Sequence, residues 1–577
     1  MFSKWPLLST LRHYSLSLAG RDLLAASLVS LLLVPQALAY AQLAGLPAVA
    51  GLFASILPLL VYALIGNSPG VALSFGPVAV LSLMTAAALA PVATAGSAAY
   101  LQAATTLTLL VGTLLLVMGL LRLGFIANFL SHPVISGFVS GSALLIAVSQ
   151  IKYLLGVSVD GLSLLQVLPG LYAQLGQVHQ PTLILAGVSL ALLVLLRNLH
   201  WLGVPATLAA RARQFSALMV ILLAMLLGAL LQLESYGVKV VGEVEASLPP
   251  LLIPSLELPL VLTLLPAALL IALVGFIESV SIAQSLAMRK RQSINPDLEM
   301  LGQGAANIAA ACSGGMPVAA SFSRSALALQ SSVATPLVGV FAALLMLAAV
   351  LGLAPLLEHL PQAVLAASIV VAVLGLVDLR TLRRTWRYSR QEGAAQLATL
   401  LGVLLHGVEA GILLGVGLSL LLFLWRTSRP HMAVLGQLPG SEHFRNIERF
   451  TTVQSDSVLS IRIDESLYFP NARYLEGRIA ELLASRPQAR HLVLMCSGVN
   501  LIDASALDTL EAISERLHSA GVQLHLAEVK GPVMDRLRRS NFLDSFGGHV
   551  FVSQYHALHS LDPTTTERAR QLPASHE

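Results

Sequence analysis

The sequence predicts a helical polytopic membrane protein that carries a small soluble α/β domain at its C-terminal end. Of its 577 residues, 56% are hydrophobic and only 11% are charged, and the mean hydropathy is +0.78. Soluble globular proteins carry about 25% charged residues, so most of this chain belongs in lipid. Beyond Arg429 the charges become dispersed and the apolar runs become short, which indicates a separate domain outside the bilayer.

Fourteen segments are long and apolar enough to be membrane spans, since a helix needs about 20 residues to cross the hydrocarbon core. Seven precede and seven follow a relatively acidic loop at 234–257. The predicted spans are 22–42, 47–65, 71–92, 98–121, 125–150, 180–197, 213–233, 259–288, 299–314, 316–333, 335–355, 360–378, 393–408 and 411–427.

The basic residues fix the orientation of these spans, because cytoplasmic loops of membrane proteins are enriched in lysine and arginine. With residues 1–21 in the cytoplasm, the loop that carries Glu243 and Glu245 lies outside. We therefore expect the N-terminus and the C-terminal domain to be cytoplasmic, in the inner (plasma) membrane. The residues that then fall on the cytoplasmic side are Arg122, Arg197, Arg211, Arg213, Arg289, Lys290, Arg291, Arg380, Arg383, Arg384, Arg387, Arg426 and Arg429.

Composition also excludes several function classes. The net charge of +4 comes from these span-flanking residues, and no basic tract with interleaved aromatic residues indicates nucleic-acid binding. Cys312 and Cys496 are far apart and form neither a metal-binding nor a disulfide pattern. We expect no metal, no cofactor and no enzymatic activity.

The C-terminal region 455–562 alternates β-rich runs with amphipathic stretches, which predicts a small α/β domain. Residues 428–454 are expected to be a linker, and 563–577 a disordered polar tail. The predicted strands are 458–463, 491–495 and 522–526, and the predicted helices are 471–485, 505–519 and 531–538.

One stretch of the second half, 314–327, interrupts the apolar pattern. It opens with Gly314, Gly315 and Pro317, which break helices, and it carries Arg324 at bilayer depth. Because a charged residue costs roughly 2.5–3.5 kcal/mol at the centre of a membrane helix, it marks a functional site by default. Residues 71–77 match 318–324 in the other half, and paired interrupted segments indicate a transporter binding site.

Six motifs together resemble the sulfate permease (SulP) family of anion transporters, the family that includes prestin and pendrin. The C-terminal region is similar to a STAS domain. The motifs are 35–40 (PQALAY), 74–79 (SFGPVA), 131–138 (SHPVISGF), 275–279 (GFIES), 295–299 (NPDLE) and 321–324 (SFSR).

The resemblance implies two inverted seven-helix repeats, about 22–233 and 259–427, divided into a core and a gate domain. Spans three and ten would each begin as a strand and become helical near the midplane. Their helix N-termini would then face each other and bind an anion, because each carries about half a positive charge and free N–H groups.

The predicted substrate-binding residues come from three spans: Gln36, Tyr40, Phe75, Gly76, Pro77, Val78, Phe322, Ser323 and Arg324. Gln36 and Tyr40 would donate hydrogen bonds from a broken first span, and Pro77 suits the first turn of a helix. Other interpretations remain open. Arg324 could neutralise a carboxylate, Gln36 could tie off unwound backbone, Tyr40 could serve packing, and Ser323 could cap a helix.

Glu278 is the predicted coupling residue, because it lies in an apolar run well inside the bilayer. Its protonation would cancel its charge and free Arg324 for the anion. The alternatives are a permanent Glu278–Arg324 ion pair or a sodium site completed by Ser279, Ser281 and Ser285.

The predicted function is secondary active transport of small anions, with sulfate first, by proton symport and an elevator-like movement. Alternatives are a bicarbonate or dicarboxylate transporter, sodium-coupled or not, an anion channel, a nucleobase transporter and a membrane-anchored regulator. The STAS domain is expected to support a homodimer. Ser505 lies where soluble relatives carry a phosphorylated serine, which makes it a weaker regulatory candidate.

Overall fold

The computed structural model describes residues 14–66, 68–129, 131–159, 161, 163–199, 203, 205–242, 247–289, 291, 293–321, 324–325 and 335–573. The chain divides into two compact units, Met1–Ser419 and Leu420–Glu577. The first unit is almost entirely helical, and the second is built around a six-stranded sheet.

The elements of the membrane region fall into two halves, which the segment 232–257 separates. The first half contains α1 (Leu16–Leu43), α2 (Ala48–Phe53), α3 (Leu57–Ile65), α4 (Pro69–Ser74), β1 (Phe75–Gly76), α5 (Ala79–Leu89), α6 (Ala98–Leu120), α7 (His132–Leu155), α8 (Leu164–Ala173), α9 (Gln180–Arg197) and α10 (Ala206–Leu231). The second half contains α11 (Leu258–Arg289), α12 (Pro296–Cys312), β2 (Ala319–Ala320), α13 (Val338–Glu358), α14 (Gln362–Leu374), α15 (Leu379–Tyr388), α16 (Arg390–His406) and α17 (Val408–Ser428).

Every predicted span coincides with helical or strand-plus-helix structure over the residues that are described. The fifth span begins at His132 rather than 125, because Leu123–Phe129 forms a 3-10 segment and Pro133 suits the first turn of α7. The prediction does not include the short helices α8 and α15. Most of the tenth span lies outside the described residues, as do Glu243, Glu245 and Lys290.

The two interrupted segments meet as a short antiparallel ladder. Phe75 pairs with Ala320 and Gly76 with Ala319, and the N–H of Ser321 also donates to the carbonyl of Ser74 at 3.2 Å. Extended backbone is tolerated at membrane depth only where it is enclosed by protein, and both strands are fully buried. Corresponding segments that run antiparallel agree with an inverted repeat.

Side chains from two flanking helices satisfy the outer backbone groups of β2. Asn307 of α12 accepts from the N–H of Val318 at 2.9 Å and donates to its carbonyl at 3.0 Å. The hydroxyl of Ser279 on α11 accepts from the N–H of Ala320 at 3.1 Å. The ladder is therefore held rigidly between α11 and α12.

Helices α6 and α12 pack unusually closely through two glycines. A β-carbon on Gly112 would lie 2.8 Å from the carbonyl oxygen of Gly304, and one on Gly304 would lie 2.9 Å from that of Gly112. Small residues allow this approach of two backbones in membrane proteins. The contact fixes α12, and with it Asn307, against the first half of the chain.

The second unit has the sheet order β4-β3-β5-β6-β7-β8, in which β5 to β8 are parallel and β3 is antiparallel to both of its neighbours. Its elements are β3 (Met432–Gln437), β4 (Phe444–Asn446), β5 (Val458–Ile463), α18 (Ala472–Ala484), β6 (His491–Met495), α19 (Ala504–Ser519), β7 (Gln523–Ala527), α20 (Gly531–Arg538), α21 (Phe542–Ser545), β8 (Val550–Phe551), α22 (Gln554–Leu561) and α23 (Pro563–Gln571).

The structure corrects two predictions about this unit. The segment 428–454 is more than a linker, because it contains β3 and β4, which extend the sheet beyond β5. The predicted disordered tail is helical over Pro563–Gln571. Asp562 caps this helix by accepting from the N–H of Thr565 at 3.1 Å, and one face of it, Thr565, Thr566 and Ala569, is buried.

Candidate functional site

The guanidinium of Arg324 lies where three spans meet, and the side chain is 0% exposed. Its Nε donates to the carbonyl of Ser74 at 2.9 Å, and its Nη1 donates to the carbonyl of Pro77 at 3.0 Å and to Oε1 of Gln36 at 3.1 Å. Its Nη2 is buried and has no hydrogen-bond partner within the described parts of the chain. Both N–H groups of Nη2 are therefore left without a partner among the described residues.

The acceptors of Arg324 decide between two interpretations of this residue. They are two carbonyls and an amide, so they hold the side chain without neutralising its charge. Glu278 is close enough to interact with Arg324 electrostatically, but no ion pair joins these two described residues. The permanent Glu278–Arg324 ion pair is therefore not present in this structure.

The first span places Gln36 beside Arg324, but not through a broken helix. Helix α1 continues through Pro35, and Gln36 accepts from Arg324 instead of capping unwound backbone. The predicted break is wrong, since membrane helices tolerate proline where neighbouring groups satisfy the freed backbone. Tyr40 is buried one turn later, and its hydroxyl makes no hydrogen bond to any described residue while it interacts electrostatically with Arg324.

The residues of span three divide into packing and lining groups. Phe75 is fully buried and stacks on Tyr62 with ring centroids 4.7 Å apart, so it supports the site from behind. Gly76 has φ +148°, and a β-carbon there would lie 3.2 Å from Leu33 Cδ1 and 3.6 Å from Arg324 Nη2. Its missing side chain therefore keeps the space beside Nη2 open.

Pro77 and Val78 precede the helix α5 rather than forming its first turn. Val78 is the extended N-cap residue, without a side-chain capping bond, and α5 begins at Ala79. The predicted first-turn position of Pro77 is wrong; instead its carbonyl accepts from Arg324. The first N–H groups of α5 are thus left without a side-chain cap close to Arg324.

Span ten contributes Arg324 and Ser325, which are helical, and the N–H of Ser325 donates to the carbonyl of Ser321 at 2.9 Å. These two residues therefore place helical backbone beside the guanidinium. Phe322 and Ser323 lie outside the described residues, so their predicted contacts with an anion stay predictions.

Glu278 borders a small apolar cavity of about 40 Å³ between α5, α7, α11 and α17. Val80, Phe138 and Ile412 are among its lining residues, and Glu278 is the only charged residue among them. The hydroxyl of Ser281 donates to the carbonyl of Ile277 at 2.6 Å, and that of Ser279 serves β2. The side chain of Ser285 lies outside the described residues.

Comparison with known proteins identifies the family. The family model described as the sulfate permease family matches residues 20–399, and the STAS domain model matches residues 449–557. The chain belongs to the sulfate permease family. This is a family of transporters, in agreement with the prediction that the chain is not an enzyme.

Relatives in this family cover most of the chain. It is 36% identical to a probable sulfate transporter of Mycobacterium tuberculosis, over 94% of this chain and 95% of that protein. It is 33% identical to the chloroplastic sulfate transporter 4.1 of Arabidopsis thaliana, over 93% of this chain and 79% of the relative. These matches confirm the resemblance that the six motifs predict.

Solved structures confirm the membrane fold with a STAS domain. The structure of SLC26A9 superposes with a TM-score of 0.88 at 23% identity, covering 98% of this chain and 94% of that chain. The transmembrane domain of the cyanobacterial bicarbonate transporter BicA superposes with a TM-score of 0.60 at 23% identity, covering 69% of this chain and 98% of that domain.

This sulfate permease family member also contains a buried pair that the sequence analysis does not assign to the site. The hydroxyl of Tyr62 on α3 donates to Oε2 of Glu299 on α12, and both residues are buried. Through the stacking of Tyr62 on Phe75, this pair supports β1. The feature of the sequence that could have indicated this pair is Glu299 in the 295–299 motif, because it is a carboxylate at the start of a membrane span.

The regulatory candidate Ser505 lies in the C-terminal unit, exposed in the first turn of α19. Asp503 caps this helix by accepting from the N–H of Ala506 at 2.9 Å. Ser505 is therefore accessible to a modifying enzyme, and its phosphorylation stays a prediction.

Proposed function

We propose that this protein is a secondary active transporter of sulfate that is driven by protons. The anion would be held beside Arg324, between the N-terminus of α5 and the helical backbone at Arg324 and Ser325. One observation carries the proposal: a fully buried guanidinium has one nitrogen, Nη2, without a partner in the described residues, at the point where the two interrupted spans meet.

The chemistry of these groups suits a small oxyanion. Arginine presents its donors in a planar fork that matches oxyanion geometry, and here Nε and Nη1 are already fixed by carbonyls. The uncapped first N–H groups of α5 add further donors and a favourable dipole. Sulfate is the first candidate because similar proteins in Mycobacterium tuberculosis and Arabidopsis thaliana carry the name sulfate transporter.

Glu278 is proposed as the proton-coupling group. Its carboxyl borders an apolar cavity, where an ionised carboxylate costs far more than a neutral acid. When Glu278 is ionised, its negative charge weakens the attraction of Arg324 for the anion. When Glu278 is protonated, the full attraction of Arg324 acts on the anion. Anion binding and proton binding would therefore favour each other.

The cavity also supports an elevator-like movement. It lies between α5 and α11, which carry the site, and α7 and α17, and its lining is apolar apart from the Glu278 carboxylate and the Ser281 hydroxyl. An apolar lining offers few hydrogen bonds or ion pairs that would hold the two groups of helices together, which favours sliding of one group past the other. We further propose a homodimer in the inner membrane, with the N-terminus and the STAS domain in the cytoplasm.

The test is uptake of labelled sulfate into proteoliposomes, with and without an inward proton gradient. The proteins compared are the wild type, Glu278→Gln, Arg324→Ala and Glu409→Gln. Glu409 is a matched control, because it is also a partly buried carboxylate on a membrane helix, one of whose oxygens has no described partner. We expect gradient-stimulated uptake by the wild type and Glu409→Gln, no stimulation of Glu278→Gln, and no uptake by Arg324→Ala.

Other results would change the proposal in defined ways. If sulfate uptake does not depend on the proton gradient and is unchanged in Glu278→Gln, this carboxylate has only a structural role. If sodium stimulates uptake, the coupling ion is sodium rather than the proton. Entry of bicarbonate or a dicarboxylate instead of sulfate would keep the site and change its substrate. A conductance that does not saturate would indicate a channel.

A further inference from the structure

Helix α15 presents four arginines on a single face. Arg380, Arg383, Arg384 and Arg387 follow the spacing i, i+3, i+4 and i+7, which brings them together on an α-helix. All four are exposed, and they line a shallow open cavity of about 420 Å³. The proposed transport mechanism does not use this surface.

The four guanidiniums have no ion-pair partner among the described residues. Asp378 is nearby, but its carboxylate caps α15 by accepting from the N–H and the hydroxyl of Thr381 at 2.9 and 2.5 Å, and it reaches Arg384 only electrostatically. Like charges at this spacing destabilise a helix. An anion from outside the chain would remove that repulsion.

The arginine face is held in a fixed place. Thr385, on the opposite side of α15, is buried, and a β-carbon on Gly393 of α16 would lie 2.7 Å from the ring of Trp386. The tryptophan therefore packs directly on the backbone of the next helix. Because α15 is docked in this way, its arginines form a preorganised surface rather than a flexible basic segment.

The position of α15 favours a lipid as the source of the anion. The helix follows the apolar helix α14 after only four residues, so it lies at the end of a membrane span. It also exposes Leu379, Trp386 and Tyr388. Tryptophan and tyrosine are enriched at the level of the lipid headgroups, and basic clusters beside a span bind anionic lipids.

We propose that this four-arginine face is a binding site for the phosphate headgroup of an anionic phospholipid. The arginine forks bind the phosphate, and the exposed apolar and aromatic side chains contact the upper acyl chains. The site is independent of the transported anion. By the predicted topology it belongs to the cytoplasmic leaflet.

The test is native mass spectrometry of the full-length protein in a neutral detergent, titrated with phosphatidylglycerol or with phosphatidylcholine of the same acyl chains. We expect the wild type to bind phosphatidylglycerol about tenfold or more tightly than phosphatidylcholine. The double variant Arg383→Gln/Arg387→Gln should bind phosphatidylglycerol about tenfold more weakly than the wild type, since each basic residue near an anionic lipid surface contributes appreciably to binding. Its melting temperature in phosphatidylcholine should be at least that of the wild type, because two of the mutually repelling charges are gone.

Two matched variants complete the design. Arg538→Gln/Arg539→Gln removes the same charge from exposed positions of the C-terminal unit and should keep the wild-type preference. Arg383→Lys/Arg387→Lys keeps the charge and should keep most of the preference. Equal binding of the two lipids by the wild type would overturn the proposal, and so would an equal loss in the Arg538 and Arg539 control.

Inorganic phosphate and sulfate distinguish the two sources of the anion. Neither should displace phosphatidylglycerol at millimolar concentration. Displacement by either ion that depends on Arg383 and Arg387 would show that the surface takes a free anion, and it would overturn the lipid assignment.

Discussion

Nη1 of Arg324 donates a hydrogen bond to Oε1 of Gln36 at 3.1 Å, although the two residues are 288 positions apart in sequence. The bond joins the first span to the tenth, and Nε of the same guanidinium joins the tenth to the third. Arg324 therefore has two roles at once, because it holds three spans together and keeps at their meeting point a positive charge that its hydrogen-bond acceptors do not neutralise.

Replacing Arg324 by lysine separates these two roles. Lysine keeps the charge but lacks the planar fork, so it cannot reach the carbonyls of Ser74 and Pro77 and the amide of Gln36 together. We expect initial sulfate uptake by Arg324→Lys to fall about tenfold or more, with some residual transport, and that of Arg324→Ala to vanish. Uptake per reconstituted protein is the measurement.

Arg197→Lys is the matched control for this experiment. Arg197 also donates from the membrane region to a carbonyl, that of Val371 at 2.7 Å, but it lies outside the candidate site. Arg197→Lys should change the melting temperature, but it should lower sulfate uptake much less than Arg324→Lys does. Wild-type uptake by Arg324→Lys would contradict the role of the fork.

Gly76→Ala tests whether the space beside Nη2 of Arg324 is needed. Alanine is disfavoured at φ +148° by about 1 kcal/mol or more, and its methyl group would approach Leu33 and Arg324. We expect lower sulfate affinity and lower uptake, measured as the Km and the maximal rate in proteoliposomes.

Gly96→Ala controls for backbone strain alone in that comparison. Gly96 also has a positive φ, +81°, but no atom lies within 4 Å of an added β-carbon. It should cost some stability and leave the Km unchanged. Equal effects of the two substitutions on the Km would show that strain, rather than occupied space, is responsible.

The sequence indicates which charged residues belong to the candidate site, but it does not indicate which groups hold them in place. Arg324 and Glu278 can be found because a charge inside an apolar run is unusual and has a clear physical cost. The partners of Arg324 cannot, since the carbonyls of Ser74 and Pro77 are backbone groups that every residue has. Only the folded chain reveals which carbonyls a long side chain reaches.

The mistaken predictions have similarly local causes. The broken first span follows the family resemblance, but α1 continues through Pro35, and the effect of a proline depends on neighbours that the sequence does not identify. The helix Pro563–Gln571 has a polar composition typical of disorder, and its small buried face consists of threonine and alanine. The strands β3 and β4 are short and become recognisable only through their pairing, β4 with β3 and β3 with β5.

Tyr62→Phe tests the buried pair behind β1. The substitution keeps the stacking on Phe75 but removes the hydrogen bond to Glu299. Hydrogen bonds to a charged group contribute about 2 kcal/mol, so we expect a clear fall in melting temperature in detergent. Uptake should fall less than in Arg324→Ala, since Tyr62 supports the site without contacting the anion.

Tyr100→Phe is the matched control for Tyr62→Phe. Tyr100 is also buried, but its hydroxyl donates to a neutral acceptor, the carbonyl of Ala44, at 2.7 Å. This bond should contribute about 1 kcal/mol. A fall in melting temperature as large as that of Tyr62→Phe would argue against a special contribution from Glu299.

The C-terminal unit contains a histidine that should make its stability dependent on pH. His525 on β7 is fully buried; its Nδ1 accepts from the N–H of His549 at 3.1 Å, and its Nε2 lies 3.1 Å from Nδ1 of His491. Burial, together with repulsion from His491 and His549, lowers the pKa of His525 from 6.5 to about 4. The folded domain therefore excludes a proton that the unfolded chain accepts.

This difference should destabilise the C-terminal unit in acid. Above pH 6.5 the histidine is neutral in both states and has no effect, whereas between pH 6.5 and about 4 only the unfolded chain becomes protonated. The free energy of unfolding should fall by about 2 kcal/mol at about pH 5, which corresponds to a shift of about 1 M in the urea midpoint.

Labelling of the buried Cys496 with a thiol reagent that reacts in acid, in a Cys312→Ala background, reports this unfolding in the full chain. His525→Asn, which does not titrate, should be less stable at about pH 7 but lose the acid shift, while His443→Gln, at an exposed position, should keep it. An acid shift that persists in His525→Asn would assign the pH dependence to other groups.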